Sequence, residues 1–277
     1  MTPPRQELII EADRIEQQYW RDLWRYRELF YFLAWRDILV RYKQTAIGVA
    51  WALIRPLMTM VIFVFVFGRV AKLPTEGDTP YAILVFAGML PWQFFANALA
   101  ESAASLVGNS SLISKIYFPR LIVPASAVVT CLVDYLITCV IFLVLMVYYA
   151  FVPDWRVLFV PVFTLLAFAA ALGAGLWLAS LNVKYRDFRY IVPVIVQFGL
   201  FLSPVGFSTK VVPETYRVLY ALNPMVGVID GFRWALLRGE AQLNWMSLGL
   251  SVAVTAVLAV TGVWYFRRTE KTFADVI

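Results

Sequence analysis

The chain has 277 residues, of which 61% are hydrophobic, 16% aromatic and only 15% charged, with a formal net charge of +6 and a mean hydropathy of +0.73. Soluble domains hold about 45–50% apolar and about 25% charged residues, so this balance excludes an ordinary soluble domain and points to a membrane protein. Histidine is absent, which removes the commonest catalytic base and the commonest metal ligand.

The first twenty residues, MTPPRQELIIEADRIEQQYW, lack the apolar core and small-residue cleavage site of a signal peptide, so the first span is expected to act as its own insertion signal. Residues 19–37, YWRDLWRYRELFYFLAWRD, predict an amphipathic helix lying in the membrane interface. Trp20, Leu23, Trp24 and Tyr31 share one stripe, and Arg21, Arg25 and Glu28 share another. Such a helix is either a collar that positions the first span or a simple anchor.

Apolar runs then predict six transmembrane helices at about 50–69, 81–100, 122–150, 157–180, 190–207 and 246–266. The alternation of a membrane β-barrel is missing, so the expected fold is an all-α polytopic membrane protein. Cys131 and Cys139 lie in the same span, ~12 Å apart along a helix, too far for a disulfide, and read as small packing residues. The stretch 208–245 is too apolar for a solvated loop, and Asn223-Pro224 interrupts it. It predicts two half-helices, about 214–222 and 225–238, that dip into the outer leaflet and return. Asn223, Pro224, Asp230 and Arg233 are its candidate positions, and Gly227-x-x-x-Gly231 is a weak close-approach signal.

Basic residues set the orientation. The first 55 residues hold nine Arg/Lys, the 101–120 link two, the 181–190 link three and the C-terminal tail three, against seven on the other side. Both termini and those two links are therefore expected to be cytoplasmic, and 208–245 external. The whole of 1–277 reads as one transmembrane domain: a cytoplasmic or interfacial 1–49, five spans within 50–207, the external 208–245, a last span at 246–266 and a tail at 267–277.

Catalytic motifs are missing. The chain has no G-x-x-x-x-G-K-[ST] phosphate loop, no Cys/His metal cluster and no G-x-S-x-G elbow. Asp134 is the ionisable residue well inside a span. It is either a proton-relay group or a structural partner for a basic residue near the cytoplasmic face such as Arg55.

Several segments carry a resemblance. They are RYKQTAIGVAWALIRPLM at 41–58, GMLPWQFFANALAESAASLVGNSSLISKIYFPR at 88–120, NVKYRDFRYIVP at 182–193, SPVGF at 203–207 and NPMVGVIDGFRWAL at 223–236. In this order the chain resembles the membrane subunit of a type-2 ABC exporter, of the branch that exports O-antigen, teichoic acid or capsular polysaccharide. The resemblance implies a homodimeric channel and two copies of a separate nucleotide-binding subunit, which holds the ATP and Mg, so no cofactor is expected in this chain. It also implies a lipid-linked polysaccharide substrate in the bacterial inner membrane; no nucleic-acid partner is expected.

The resemblance makes NSSLISKIYFPR the coupling, or gate, helix that touches the ATPase subunit. In it, Asn109 or Ser110 caps, Leu112, Ile113, Ile116 and Tyr117 share a face, Ser114 and Lys115 stay wet, and Pro119 ends the helix. The link from Asn182 to Tyr190 is a lesser contact. The first and fifth spans line the pore in this family, so Trp51, Phe63, Phe67, Phe198 and Phe201 are candidates for channel lining; their other reading is lipid contact. Arg41, Lys43 and Arg55 are candidates to attract the lipid diphosphate, or serve only the inside-positive rule. An exporter of drugs or small lipids shares this architecture, and an ion-coupled carrier would depend on Asp134. A membrane-embedded enzyme lacks a convergent set of acid, base or metal ligands.

Overall fold

One helix, α4 (Tyr81–Gly108), is buried on nearly all sides, and the rest of the chain is arranged around it. A helix apolar on every face belongs in a core or in a membrane, and α4 is in both. The computed structural model describes the backbone of residues 15–43 and 48–273, and the side chains of 19–43 and 53–273. Among the described residues every regular element is helical.

The N-terminal region forms α1 (Ile15–Arg25) and α2 (Arg27–Lys43), where one helix over 19–37 is expected; a turn at Tyr26 divides them. The expected stripe splits between two environments. Trp20, Trp24 and Tyr31 are exposed, whereas Leu23 packs beside buried Tyr19 and Leu33. The helix pair thus has an apolar side for the protein and an aromatic side for its surroundings, and α2 packs along α6.

Next come α3 (Gly48–Phe63) with a π-helical continuation over Val64–Val70, then α4, the short α5 (Ser110–Lys115), α6 (Ile122–Tyr148) and α7 (Val160–Lys184). Among the described residues five helices are long and apolar enough to cross a bilayer: Leu53–Val70, Tyr81–Gly108, Ile122–Tyr148, Trp155–Lys184 and Trp245–Thr272. The fifth expected span, 190–207, corresponds to α8 (Phe188–Leu202), which has 15 residues, or ~22 Å, against a ~30 Å hydrocarbon core. It stops before SPVGF, which turns back into the protein with Ser203, Pro204, Val205 and Gly206 buried.

The 208–245 stretch contains α9 (Glu214–Ala221) and α10 (Pro224–Leu236). Asn223 makes the break: its Oδ1 accepts from the Met225 amide at 3.0 Å, and Pro224 occupies the first helical turn, where it forfeits no bond. Asn244 caps α11 (Trp245–Thr269) in the same way.

Gly227 and Gly231 face different neighbours. Gly227 lies against Ser251 of α11 and donates its amide to Ser251 Oγ at 3.0 Å, while Gly231 lies beneath the Phe163 ring of α7. Backbone meets backbone between α7 and α11, where a Cβ on Gly262 would stand 2.3 Å from the Gly173 carbonyl oxygen.

Two cores result. The larger surrounds α4 with parts of α6, α7 and α10. The smaller gathers Tyr19, Leu33, Leu106, Ile113, Phe118, Phe266 and Phe273 at the end bearing α1, α5 and the last turn of α11. This is the basic end of the bundle, with Arg21, Arg25, Lys115 and Arg268 exposed there.

Candidate functional site

At the basic end, α5 is six residues long and stops at Lys115; Ile116 is already extended, with φ −129° and ψ 135°. The expected four-residue face is therefore not formed. Ile113 is buried in the smaller core and Leu112 half-buried, whereas Ile116 and Tyr117 project outward, each 55% exposed. Ser110 begins the helix and Lys115 is exposed at its end. The helix ends before Pro119 because buried Phe118 and Pro119 draw the chain back into the core. Asn109 does not cap with its side chain: its Nδ2 donates to the Ser105 carbonyl at 2.9 Å, and its Oδ1 accepts from Arg36 of α2 at 2.8 Å.

Asp134 stands twelve residues, ~18 Å, along α6 from Ile122. Its carboxylate accepts from the Arg41 guanidinium and the Tyr42 hydroxyl at the end of α2, and Arg41 also donates to Glu101 of α4. The structural partner is thus Arg41, not Arg55. Arg55 and Lys43 are exposed, and Arg41 is separated from them by its pairing. A carboxylate at that depth needs compensation by charge and hydrogen bonds, and α2 supplies both.

The aromatic candidates part company. Phe63 is 7% exposed and packs against Phe67 with ring centroids 5.2 Å apart; a Cβ on Gly206 would come within 2.7 Å of the first ring and 2.8 Å of the second. Both rings are turned into the chain by that glycine, so Phe63 lines no open surface of it. The Trp51 side chain lies outside the described residues. Phe198 and Phe201 are exposed on α8.

Phe198 borders a groove of about 990 Å³ between α8, α4 and α9. Trp92 and Phe95 of α4 form its wall with ring centroids 5.7 Å apart, Tyr190 and Phe198 come from α8, and Tyr216 and Tyr220 from α9. Gly199 lets α8 lie on the Trp92 indole, since a Cβ there would stand 2.6 Å from the ring. Phe201 stays outside the groove. The sequence signal for the missed residues was helical spacing: Trp92 with Phe95, Tyr190 with Val194 and Phe198, Tyr216 with Tyr220.

At the end opposite α5, the turn after α8 is pinned to α10. Fully buried Arg233 donates from Nη1 to the Phe207 carbonyl at 2.7 Å, and Asp230 Oδ1 accepts from Thr209 at 2.5 Å. Glu76 accepts from Ser208 and from Lys210 Nζ. Burial pushes the Asp230 carboxyl up to about 6, against the pull of Thr209 and Arg233. Among the described residues no group of three or more Cys, Asp or Glu is placed to hold a metal ion.

Comparison with known proteins places these features in a family. Residues 28–237 match the profile described as ABC-2 type transporter. The chain is 27% identical over 259 residues to the O-antigen export system permease protein RfbA of Myxococcus xanthus, across 93% of this chain and 98% of the relative. It is 25% identical to the protein of the same name from Klebsiella pneumoniae, across 87% and 92%, and 21% identical to the polysialic acid transport protein KpsM of Escherichia coli, across 85% and 91%.

Proposed function

The chain belongs to the ABC-2 type transporter family, and from that premise we propose that it is the permease of an exporter of lipid-linked polysaccharide, O-antigen foremost. It is a multi-pass protein of the bacterial inner membrane. The observation that carries the substrate reading is the groove bordered by Trp92, Phe95, Tyr190, Phe198, Tyr216 and Tyr220.

A polar polymer cannot cross hydrocarbon unaided. Flat aromatic faces pack against the C–H faces of sugar rings without demanding one hydrogen-bond pattern, so one wall serves successive different sugars. Two copies of the chain form the channel, with α8 and its groove toward the path. The lipid headgroup enters from the inner leaflet, where Lys115 at the end of α5, Lys43 at the end of α2 and Arg55 on α3 are exposed and attract the diphosphate. Phe201, exposed on α8, faces the second copy or lipid, and the paired helices α9 and α10 close the external end at rest.

ATP is hydrolysed by two copies of a separate subunit, in keeping with the missing phosphate loop. That subunit docks on the outward tip of the α5 segment, Lys115, Ile116 and Tyr117. Asp134, the group an ion-coupled carrier would need, is held by Arg41 and Tyr42, which favours the ATP-driven reading.

The test is a mild-detergent pull-down of tagged protein from its host, with the eluate assayed for ATPase activity and its subunits identified by mass. A stoichiometric phosphate-loop subunit is expected. Ile116→Asp with Tyr117→Asp should release it while leaving the permease folded, since both side chains are exposed. Ile113→Asp is unsuitable because it would bury a carboxylate in the smaller core. An active permease without any such subunit would refute the proposal.

A further inference from the structure

The groove runs along α8 toward the basic end of the bundle. On that helix it is lined from Phe198 through Val194 to Ile191 and Tyr190, in the first turn. The end of α7 that leads into α8 belongs to the smaller core, through Val183, so Tyr190 marks the mouth of the groove on the side of α5. Three cations surround this mouth. Lys184 ends α7, and Arg186 and Arg189 precede Tyr190 by four positions and by one; all three are exposed.

Lys184 Nζ sits 5.3 Å over the Tyr185 ring. Arg186 and Arg189 make no side-chain hydrogen bond and no ion pair among the described residues, although Asp187 lies between them in sequence. Arg41, Arg120, Arg156 and Arg233, by contrast, are committed to carboxylates or carbonyls. Among the described residues no other uncommitted cation adjoins the groove. The α4 helix contains no lysine or arginine, Arg217 of α9 donates to the Val212 carbonyl and to Glu214, and Lys43, Arg55 and Lys115 lie on helices that contribute nothing to the lining. A guanidinium matches phosphate oxygens with parallel N–H donors, and two of them close together suit a group with two phosphates. Beyond them the groove is apolar, with Leu99, Ile191 and Val194 in its wall. The mouth therefore fits an anion carried on an apolar body.

We propose that Arg186 and Arg189 bind the diphosphate of a lipid diphosphate at the mouth of the groove. This gives the cargo of the exporter a headgroup site and rests on that reading of the chain. Lys43, Arg55 and Lys115 draw the anion to the inner face, and the two arginines hold it where the aromatic lining begins. The sugars that follow the diphosphate then meet Tyr190 before Phe198.

The experiment measures binding of radiolabelled farnesyl diphosphate to the assembled complex, immobilised in mild detergent, with excess ADP to fill the phosphate loops of the ATPase subunits. Farnesol and inorganic pyrophosphate serve as competitors. The double variant R186Q/R189Q should raise Kd roughly tenfold or more, as expected from the loss of two charge-assisted contacts. R186K/R189K should fall between it and the wild type, since it keeps the charge and loses the planar fork. K43Q/R55Q should leave Kd within about twofold, because distant exposed charges are screened. Both arginines are exposed, so the variants should keep the fold and the ATPase subunit. An unchanged Kd in R186Q/R189Q would overturn the proposal. So would loss of the ATPase subunit from that variant with binding intact, which would assign the arginines to the contact between subunits. Inorganic pyrophosphate that competes as well as unlabelled farnesyl diphosphate would overturn the lipid source and leave a site for free phosphates. The exporter reading fails separately: a wild type that binds farnesyl diphosphate through these arginines but moves no polysaccharide would keep the site and remove the cargo.

Discussion

Arg233 Nη2 donates to the Val205 carbonyl at 2.9 Å, joining α10 to the turn that follows α8. The guanidinium is fully buried, and its second arm reaches Phe207. Only a planar fork can serve two carbonyls set apart in this way. Arg233→Met would leave both unpaired and should cost about 2–4 kcal/mol, read as a lower unfolding temperature in detergent. Arg233→Lys should also destabilise, since an ammonium is a point charge. A lysine variant as stable as the wild type would show that the charge alone matters.

Asp230 gives the same region a pH dependence. Its carboxyl is raised by burial to about 6, from an ordinary value of 3.8, with Glu76 raising it and Thr209, Arg233 and Lys210 opposing. The folded protein therefore binds more protons than the unfolded one between those values. Stability contributed by this group is full below the unfolded value and declines as pH rises through about 6. Asp230→Asn keeps an acceptor for Thr209 and should flatten that decline. Unfolding temperatures at pH 4, 5, 6 and 7 test it; identical slopes in the two proteins would refute it.

Asp134→Asn removes the charge that Arg41 meets but keeps one acceptor oxygen for Arg41, while its amide NH2 can donate to the Tyr42 hydroxyl oxygen. Polysaccharide export should persist within about threefold, with a stability loss of about 1–2 kcal/mol. Abolished export at unchanged unfolding temperature would instead assign Asp134 to ion coupling. Export in intact cells and thermal unfolding of the purified complex separate the two.

The aromatic residues predict opposite behaviours. Phe198 is 62% exposed, so Phe198→Ala should lower export several-fold while leaving stability within about 0.5 kcal/mol. Phe63 is buried against Phe67 and Gly206, so Phe63→Ala should cost about 3–5 kcal/mol and reduce the amount of protein in the membrane. Export normalised to permease quantity distinguishes them. Equal normalised losses in both variants would argue against the groove as the path.

The order of helices was legible because spans and breaks are local signals. Long apolar runs must become helices in a bilayer, and Asn223-Pro224 contains a cap and a first-turn residue in adjacent positions. The two-faced N-terminal pair was half legible: the exposed Trp20, Trp24 and Tyr31 stood out, but nothing local marks Tyr19 or Leu33 as inward. Asp134 was legible as a problem and not as a solution, since Arg41 and Tyr42 lie more than ninety positions away. Phe63 and Phe67 show the limit of periodicity. Same-face spacing identified them as a pair, while the direction of that face was decided by Gly206, a residue in the turn after α8. No sequence signal marks the pairing of Glu270 with Arg120, which is a contact between chain segments 150 positions apart.

The meeting of Gly173 with Gly262 has a mechanical consequence. Where backbones touch, a Cβ would stand 2.3 Å from a carbonyl oxygen, and further along the same pair Trp177 of α7 stacks on Tyr265 of α11 with ring centroids 4.1 Å apart. Both contacts oppose sliding of α7 past α11. Less closely packed are α3, with its π-helical continuation and poorly buried flank, and the short α8. Motion within the bundle is then easier on the side of α8, the helix that borders the groove.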